Sequence, residues 1–324
     1  MNVCIVGCGA WGEKRAKSIE GAGCKLVACA DVNAERAAWF SVKNGPNVKV
    51  KSWEVAVQQA DVEVVIVSVP IDSLALVAKV ALEYGKNVLI EKPAARNVQE
   101  LLEIQDIEKA SGRHVRVGFN LRYHRAFRKA FEIVEEIGPL MYVRGRYGHG
   151  GRMGYEKEWR MKSGAGELID QGVHLIDLAQ AFLGAFDKKV QGEVLTCYWP
   201  GDANDNAFLT LRTEDAKIAF LHASYTEWKN LFSFEVFGRK GKIEVSGLGA
   251  TYYGGSYGTE KLTLYKMKPE MGPPETTSWE YPMADDSLEW ELREFVKDIE
   301  ENRTPRPGLA EAIEVMRVVE NVKK

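Results

Sequence analysis

The run Gly7-Cys8-Gly9-Ala10-Trp11-Gly12 is a G-x-G-x-x-G. Glycines at that spacing permit a tight turn, let the backbone approach a pyrophosphate, and let a helix pack closely on the preceding strand. The helix that follows would aim its N-terminal N–H groups at the phosphates. Asp31 stands nineteen residues beyond Gly12, at the end of the next apolar stretch, where a carboxylate binds an adenosine ribose 2′-hydroxyl. It would repel a 2′-phosphate, and Val32-Asn33-Ala34 brings no arginine to bind one; Arg36, a turn further on, is the local exception. The expected cofactor is NAD, with NADP disfavoured. The rival reading is a structural glycine turn with a helix-capping aspartate.

A second group is Val88-Leu89-Ile90-Glu91-Lys92-Pro93, which puts a lysine at the carboxyl end of a buried strand, the edge where open α/β sheets bind ligands. Such a lysine can donate to a substrate hydroxyl and favour a developing alkoxide. It can equally be a surface lysine paired with a neighbour. The third group is Asp170 and His174, four residues apart and so on one face if 167–183 is a helix. Histidine titrates near neutrality and can exchange the hydroxyl proton, while a carboxylate orients the imidazole and stabilises its charged form. A buried structural His–Asp pair is the alternative, and Asp177 is a lesser candidate for the orienting group. A metal is not expected: no cysteine cluster or H-x-x-x-H completes a zinc site.

Residues 113–162 carry twelve Lys/Arg against five Asp/Glu, +7, whereas the whole chain is −3. They form either a solvated face, with Arg128 and Lys129 paired to Glu132 and Glu136, or a site for a phosphorylated or nucleotide-linked substrate. Tyr123-His124-Arg125 and Arg144–Arg160, which includes Arg152, are the places such a substrate would touch. The loop Gly247–Gly258 reads as a plain connection, a lid or an oligomer contact.

The elements that must position these groups follow from pattern. The first 120 residues alternate short apolar strands (3–6, 25–30, 64–69, 88–90, 115–119, with a weaker one at 48–50) with helices near 10–21, 33–43, 52–59, 73–84 and 97–110. Val64-Val65-Ile66-Val67 is continuously apolar, as for a strand covered on both faces, so a doubly wound parallel sheet of the Rossmann type is expected over 1–120. After residue 120 come helices near 123–137 and 167–183, a strand near 140–147, and alternating strands at 206–212, 217–224, 233–237 and 242–245. Helices at 288–301 and 309–322 close the chain. The fold class is α/β followed by an α+β domain, 121–324, built on a large, mainly antiparallel open sheet.

Composition narrows the class. With 324 residues, 45% hydrophobic and 27% charged, the chain suits two domains with sizeable cores. Nothing in the near-balanced charge suggests an electrostatic nucleic-acid binder. No apolar run reaches the roughly 20 residues of a membrane helix, and no signal peptide is expected. Five cysteines without a C-x-x-C pair suit a reducing, cytoplasmic setting.

Taken in order, the G-x-G-x-x-G, Ser68-Val69-Pro70, Glu91-Lys92-Pro93, Gly118-Phe119-Asn120 and Gly166-Glu167-Leu168-Ile169-Asp170-Gln171-Gly172-Val173-His174 resemble the glucose–fructose oxidoreductase / inositol dehydrogenase (Gfo/Idh/MocA) family. The resemblance spans essentially the whole chain. It implies Lys92 in the active site, His174 as catalytic base with Asp170 as its paired carboxylate, and Trp159-Arg160 near nicotinamide and substrate. It further implies cofactor contacts from Gly7, Gly9, Ala10, Trp11, Gly12, Asp31, Val32, Ser68, Val69, Pro70, Glu91, Lys92 and Asn120. Substrate contacts would come from Lys92, Asn120, Tyr123, Arg152, Trp159, Arg160, Asp170 and His174. The implied activity is hydride transfer between NAD and a secondary alcohol of a sugar, cyclitol or nucleotide-sugar by a homodimer or homotetramer. An NAD-using glycosidase with transient redox, and a non-catalytic dinucleotide-binding regulator, are the alternatives.

Overall fold

The computed structural model describes residues 1–45, 47–151, 166–187, 189–201, 203–249 and 257–322. Strand–helix units open the chain: β1 (Asn2–Val6), α1 (Ala10–Ile19), β2 (Lys25–Ala30), α2 (Ala34–Asn44), β3 (Lys49–Val50), α3 (Trp53–Gln58), β4 (Val64–Val67), α4 (Ile71–Glu83), β5 (Asn87–Glu91), α5 (Val98–Ser111) and β6 (Val115–Gly118). The strands form one parallel sheet in the order β3-β2-β1-β4-β5-β6. All four residues of β4 are buried, the burial its unbroken β-branched run requires. Asn33 and Asn97 start α2 and α5 by accepting the backbone N–H three residues on, and Gly112 ends α5 in the left-handed conformation. The strand order reverses between β1 and β4, so the glycine turn after β1 and Ser68 after β4 meet at the switch point, where such sheets bind ligands.

The rest of the chain comprises α6 (Arg125–Ile133), β7 (Leu140–Gly148), α7 (Val173–Leu183), β8 (Gln191–Leu195), β9 (Asn206–Arg212), β10 (Ile218–Ser224), β11 (Leu231–Gly238), β12 (Gly241–Ser246), β13 (Glu260–Lys266), β14 (Glu275–Tyr281), α8 (Ser287–Glu300) and α9 (Leu309–Val322). Strands β7–β14 form an eight-stranded sheet in the order β14-β13-β12-β11-β7-β10-β9-β8, antiparallel throughout except for the parallel pair β7–β10. Alternation sends Phe232 and Phe234 of β11 to a buried face, where both rings meet Phe127 of α6 edge-on at 5.8 and 5.6 Å.

The chain divides into two compact units, Met1–Asn120 with Asp286–Ile313, and Leu121–Asp285 with Glu314–Lys324. Three local differences from the sequence reading stand out. The helix expected over 123–137 is α only to Ile133 and finishes as a 3-10 turn before Gly138 at φ 72. The helix expected over 167–183 opens with a π-helical turn, Leu168–Gly172. β13 and β14 extend the sheet past residue 246, although most of β14 is exposed and carries no apolar alternation. Among the described residues no helix is long and apolar enough to cross a membrane.

Candidate active site

In the first unit the glycine turn is built around contacts no side chain could share. A Cβ on Gly7, at φ 100, would lie 2.3 Å from the Ser68 carbonyl oxygen, and one on Gly12 would lie 2.0 Å from the Gly7 carbonyl oxygen. A Cβ on Gly9 would meet nothing within 4 Å, so that position faces open space. The Ser68 hydroxyl donates to the Gly7 carbonyl at 2.8 Å and ties the ends of β1 and β4 together. Ala10 and Trp11 begin α1, and Pro70 stands at the N-terminus of α4 after Val69. A 420 Å³ cavity lies against Cys8, Gly9, Ala10, Glu13, Lys14, Lys17 and Arg36. A clear approach to Gly9, a helix N-terminus and three cations fit the pyrophosphate of a dinucleotide.

Asp31 is committed on both oxygens. Oδ2 accepts the Cys8 N–H and Oδ1 the Asn33 N–H, each at 2.8 Å, with Arg36 Nη1 at 3.5 Å. The capping role that rivalled cofactor binding is thus divided: Asn33 caps α2, and Asp31 braces the glycine turn. Val32 is almost fully exposed beside it.

Lys92 follows the last residue of β5, and Asn120 follows β6. Asn120 is buried and its amide donates to the Ser287 hydroxyl at 3.1 Å. Glu91 accepts from Arg15 Nε at 2.6 Å rather than facing solvent.

In the second unit the π-helical turn carries Asp170 and leads into α7, which carries His174. An inserted π turn widens the helix locally and is frequent at functional sites. Tyr225, just after β10, donates its hydroxyl to Asp170 Oδ2 at 2.8 Å. The same residue's carbonyl accepts from Trp199 Nε1 at 3.1 Å, and its ring stacks on His149 at 5.7 Å. His149 Nδ1 accepts from the Tyr257 hydroxyl at 2.6 Å, and His149 Nε2 donates to the Gln171 side chain. Gln171 donates in turn to the Tyr147 carbonyl at 3.0 Å and to Glu167 Oε1 at 2.8 Å. His174 is 4% exposed, with Tyr147 6.3 Å away, ring to ring. Sequence reasoning gave His149 no role and missed Tyr147, Tyr225 and Tyr257. Nothing in spacing links Tyr225 to Asp170, since the sheet brings together residues 55 apart.

Asp177 is held by Arg122 in a two-pronged pair, both bonds 2.7 Å, which commits it away from the orienting role. The basic segment is largely consumed the same way: Arg116 with Asp298, Arg144 with Glu235, and Lys129 with Glu132. Glu136 pairs with Lys266, not with Arg128 or Lys129. Tyr123 is buried, and Arg152, Trp159 and Arg160 lie outside the described residues, as do 250–256 of the glycine-aromatic loop. Among the described residues no group of three or more His, Cys, Asp or Glu is placed to hold a metal.

A parallel sheet in the 3-2-1-4-5-6 order, with a glycine turn at its switch point, followed by a large mixed sheet, defines a two-unit protein whose first unit has the layout of a dinucleotide-binding domain. Residues 1–119 match the family model for the oxidoreductase family with an NAD-binding Rossmann fold, and residues 127–244 match that for the GFO/IDH/MocA C-terminal domain. The chain belongs to the GFO/IDH/MocA family. It is similar to levoglucosan dehydrogenase of Pseudarthrobacter phenanthrenivorans (30% identity over 164 residues, 48% of this chain and 42% of that one). It is also similar to inositol 2-dehydrogenase 3 of Saccharopolyspora erythraea (34% over 148 residues, 44% of this chain and 43% of that one). The matched stretch spans somewhat under half the length of these two relatives. The fold recurs in levoglucosan dehydrogenase solved with NADH and levoglucosan (TM-score 0.88, 22% identity, 100% of this chain and 97% of that one). It recurs too in UDP-N-acetylglucosamine 3-dehydrogenase of Acidithiobacillus ferrooxidans (TM-score 0.82, 19%, 99% and 96%).

Proposed function

We propose that the protein is an NAD-dependent dehydrogenase that oxidises a secondary hydroxyl of a sugar, cyclitol or nucleotide-sugar, or reduces the matching ketone. The observation that carries this reading is the coexistence in one family member of a glycine turn open at Gly9 with Lys92 at a strand end and Asp170–His174 on the π/α segment. Bound NAD supplies the hydride acceptor. Lys92 donates a hydrogen bond to the reacting oxygen and favours its alkoxide character. His174 takes the hydroxyl proton and returns it in reduction, and Asp170, fixed by the Tyr225 hydroxyl, aligns the imidazole and stabilises its charged form. Asn120, Tyr123, Arg152, Trp159 and Arg160 are assigned to substrate.

Two features favour a small neutral polyol over a phosphorylated substrate. Most described cations of the basic segment already hold carboxylates, and the relatives named for levoglucosan and inositol act on uncharged rings. Preference for NAD over NADP rests on Asp31. A homodimer or homotetramer is favoured by the exposed apolar side chains Tyr142, Phe208, Ile218 and Phe220 of β7, β9 and β10. A cytoplasmic location is favoured by five free cysteines. The test is Lys92→Met: turnover should collapse while NADH still binds, and near-wild-type turnover would remove Lys92 from the mechanism.

A further inference from the structure

Lys92 sits in a turn that the backbone alone does not favour. The Ala94 N–H closes the turn on the Glu91 carbonyl at 2.9 Å, and Ala94 takes φ 74, a region costly for any residue with a Cβ. Such a conformation persists only where the surroundings over-determine it. Here Glu91, whose carbonyl closes the turn, is itself held through its side chain. Arg15, fully buried in α1, donates from Nε to Glu91 at 2.6 Å and from Nη1 to Glu291 of α8 at 2.5 Å. The glycine at 118 leaves room for the pair, since a Cβ there would lie 2.9 Å from Arg15 Nη2 and 3.0 Å from Glu91 Oε2.

Glu291 is not an isolated contact. Ser287, Glu291 and Asp298 are spaced four and seven apart and so share one face of α8. They bind, in turn, Asn120 after β6, Arg15 beside β5, and Arg116 within β6. One helix, reached only after the 165 residues Leu121–Asp285 of the other unit, therefore grips the two strand ends that carry Lys92 and Asn120. A buried charge network is weak evidence of added stability, and in some proteins such networks fix a unique geometry instead. Folding alone could be served by apolar packing such as that of Leu292 and Phe295, which lie in the same helix and are fully buried.

We propose that Glu291 is a positioning residue for Lys92: through Arg15 it holds Glu91, and with Glu91 the strained turn that carries the lysine. The proposal rests on the assignment of Lys92 to the reaction. It predicts that loosening Glu291 moves the turn without touching the glycine-turn site.

The test compares Glu291→Gln with Asp298→Asn, which cuts the neighbouring buried pair on the same helix face. Hydrogen–deuterium exchange over residues 91–95 should rise in Glu291→Gln and stay as in the wild type in Asp298→Asn, with β1 and β4 protected in both. On a substrate that the wild type turns over, Glu291→Gln should lose about tenfold or more in kcat, the scale of an ångström-sized misplacement, with the NADH dissociation constant changed less than about twofold. Asp298→Asn should lose melting temperature and keep kcat. Glu291→Asp, which keeps the charge and shortens the arm, should show the smaller loss in the same parameters, and stands in if the glutamine variant does not fold. Unchanged exchange at 91–95, or equal effects of the glutamine and asparagine variants on kcat, would overturn the proposal. Full activity of Lys92→Met would instead remove the reading beneath it, because exchange at the turn does not depend on what the lysine does.

Discussion

Replacing Tyr225 by phenylalanine isolates one hydrogen bond at the proposed proton-transfer pair. The hydroxyl donates to Asp170 Oδ2 at 2.8 Å, while the residue's other ties survive the change: its carbonyl still accepts from Trp199 Nε1, and its ring still stacks on His149. A hydrogen bond to a charged acceptor is worth about 1.5–3 kcal/mol. Removing it leaves the carboxylate without that donor and free to turn away from the imidazole. A rotated Asp170 no longer stabilises the charged imidazole of His174, and kcat should fall about tenfold or more. The kcat–pH profile should differ from that of the wild type, while KM and the NADH dissociation constant stay near wild type. The assay is steady-state turnover across a pH series, with melting temperature as a control for general damage. A wild-type kcat and pH profile in a folded Tyr225→Phe would refute the claim that this hydroxyl tunes Asp170. A loss shared by kcat, cofactor affinity and melting temperature would make Tyr225 a packing residue only.

The other expectations concern the first unit. Gly9→Ala should fold normally, since a Cβ there meets nothing within 4 Å, yet lose NADH binding by blocking the approach of the pyrophosphate. Gly12→Ala should lose melting temperature instead, because its Cβ would fall 2.0 Å from the Gly7 carbonyl; a fluorescence titration and a thermal melt separate the two. Asp31→Ala removes the acceptor for the Cys8 and Asn33 N–H groups and the charge facing Arg36, so NADH should weaken more than NADPH and the ratio of their dissociation constants should narrow; an unchanged ratio would take Asp31 out of cofactor selection. Burial pushes Glu108 up to about 7 although it accepts the Val115 N–H. A carboxyl whose folded pKa is raised contributes stability at low pH that is lost as pH rises through that value. Glu108→Gln should accordingly gain melting temperature above pH 7 relative to wild type and gain little near pH 5.

Much of the first unit is legible in the sequence because its constraints are local. The glycine spacing and the unbroken Val64–Val67 run each specify backbone within a few residues, and right-handed crossovers make the sheet parallel and doubly wound. The second unit is less legible. β14 is mostly solvated and offers no apolar period, and the π turn at Leu168–Gly172 leaves no mark in a pattern that stays apolar nearly all round. The candidate site divides in the same way. Lys92, Asp170 and His174 could be named from motifs, whereas Tyr225, Arg15 and Glu291 act through partners 55, 76 and 276 residues away in sequence, distances at which spacing carries no information. The segment 113–162 stays ambiguous in sequence for a related reason: Lys129 pairs with the nearby Glu132, but Arg116, Arg122 and Arg144 meet carboxylates that only the fold brings near.

The central claim is a net hydride transfer on a sugar-like alcohol, and the absorbance of reduced nicotinamide tests it most directly. Wild-type protein would be run with NAD and with NADP against free sugars and inositols, sugar phosphates and nucleotide-sugars. The account predicts accumulation of reduced cofactor with NAD and at least one uncharged sugar or cyclitol, abolished by Lys92→Met. Release of a sugar without reduced cofactor, or tight NADH binding with no turnover of any member of the panel, would contradict it.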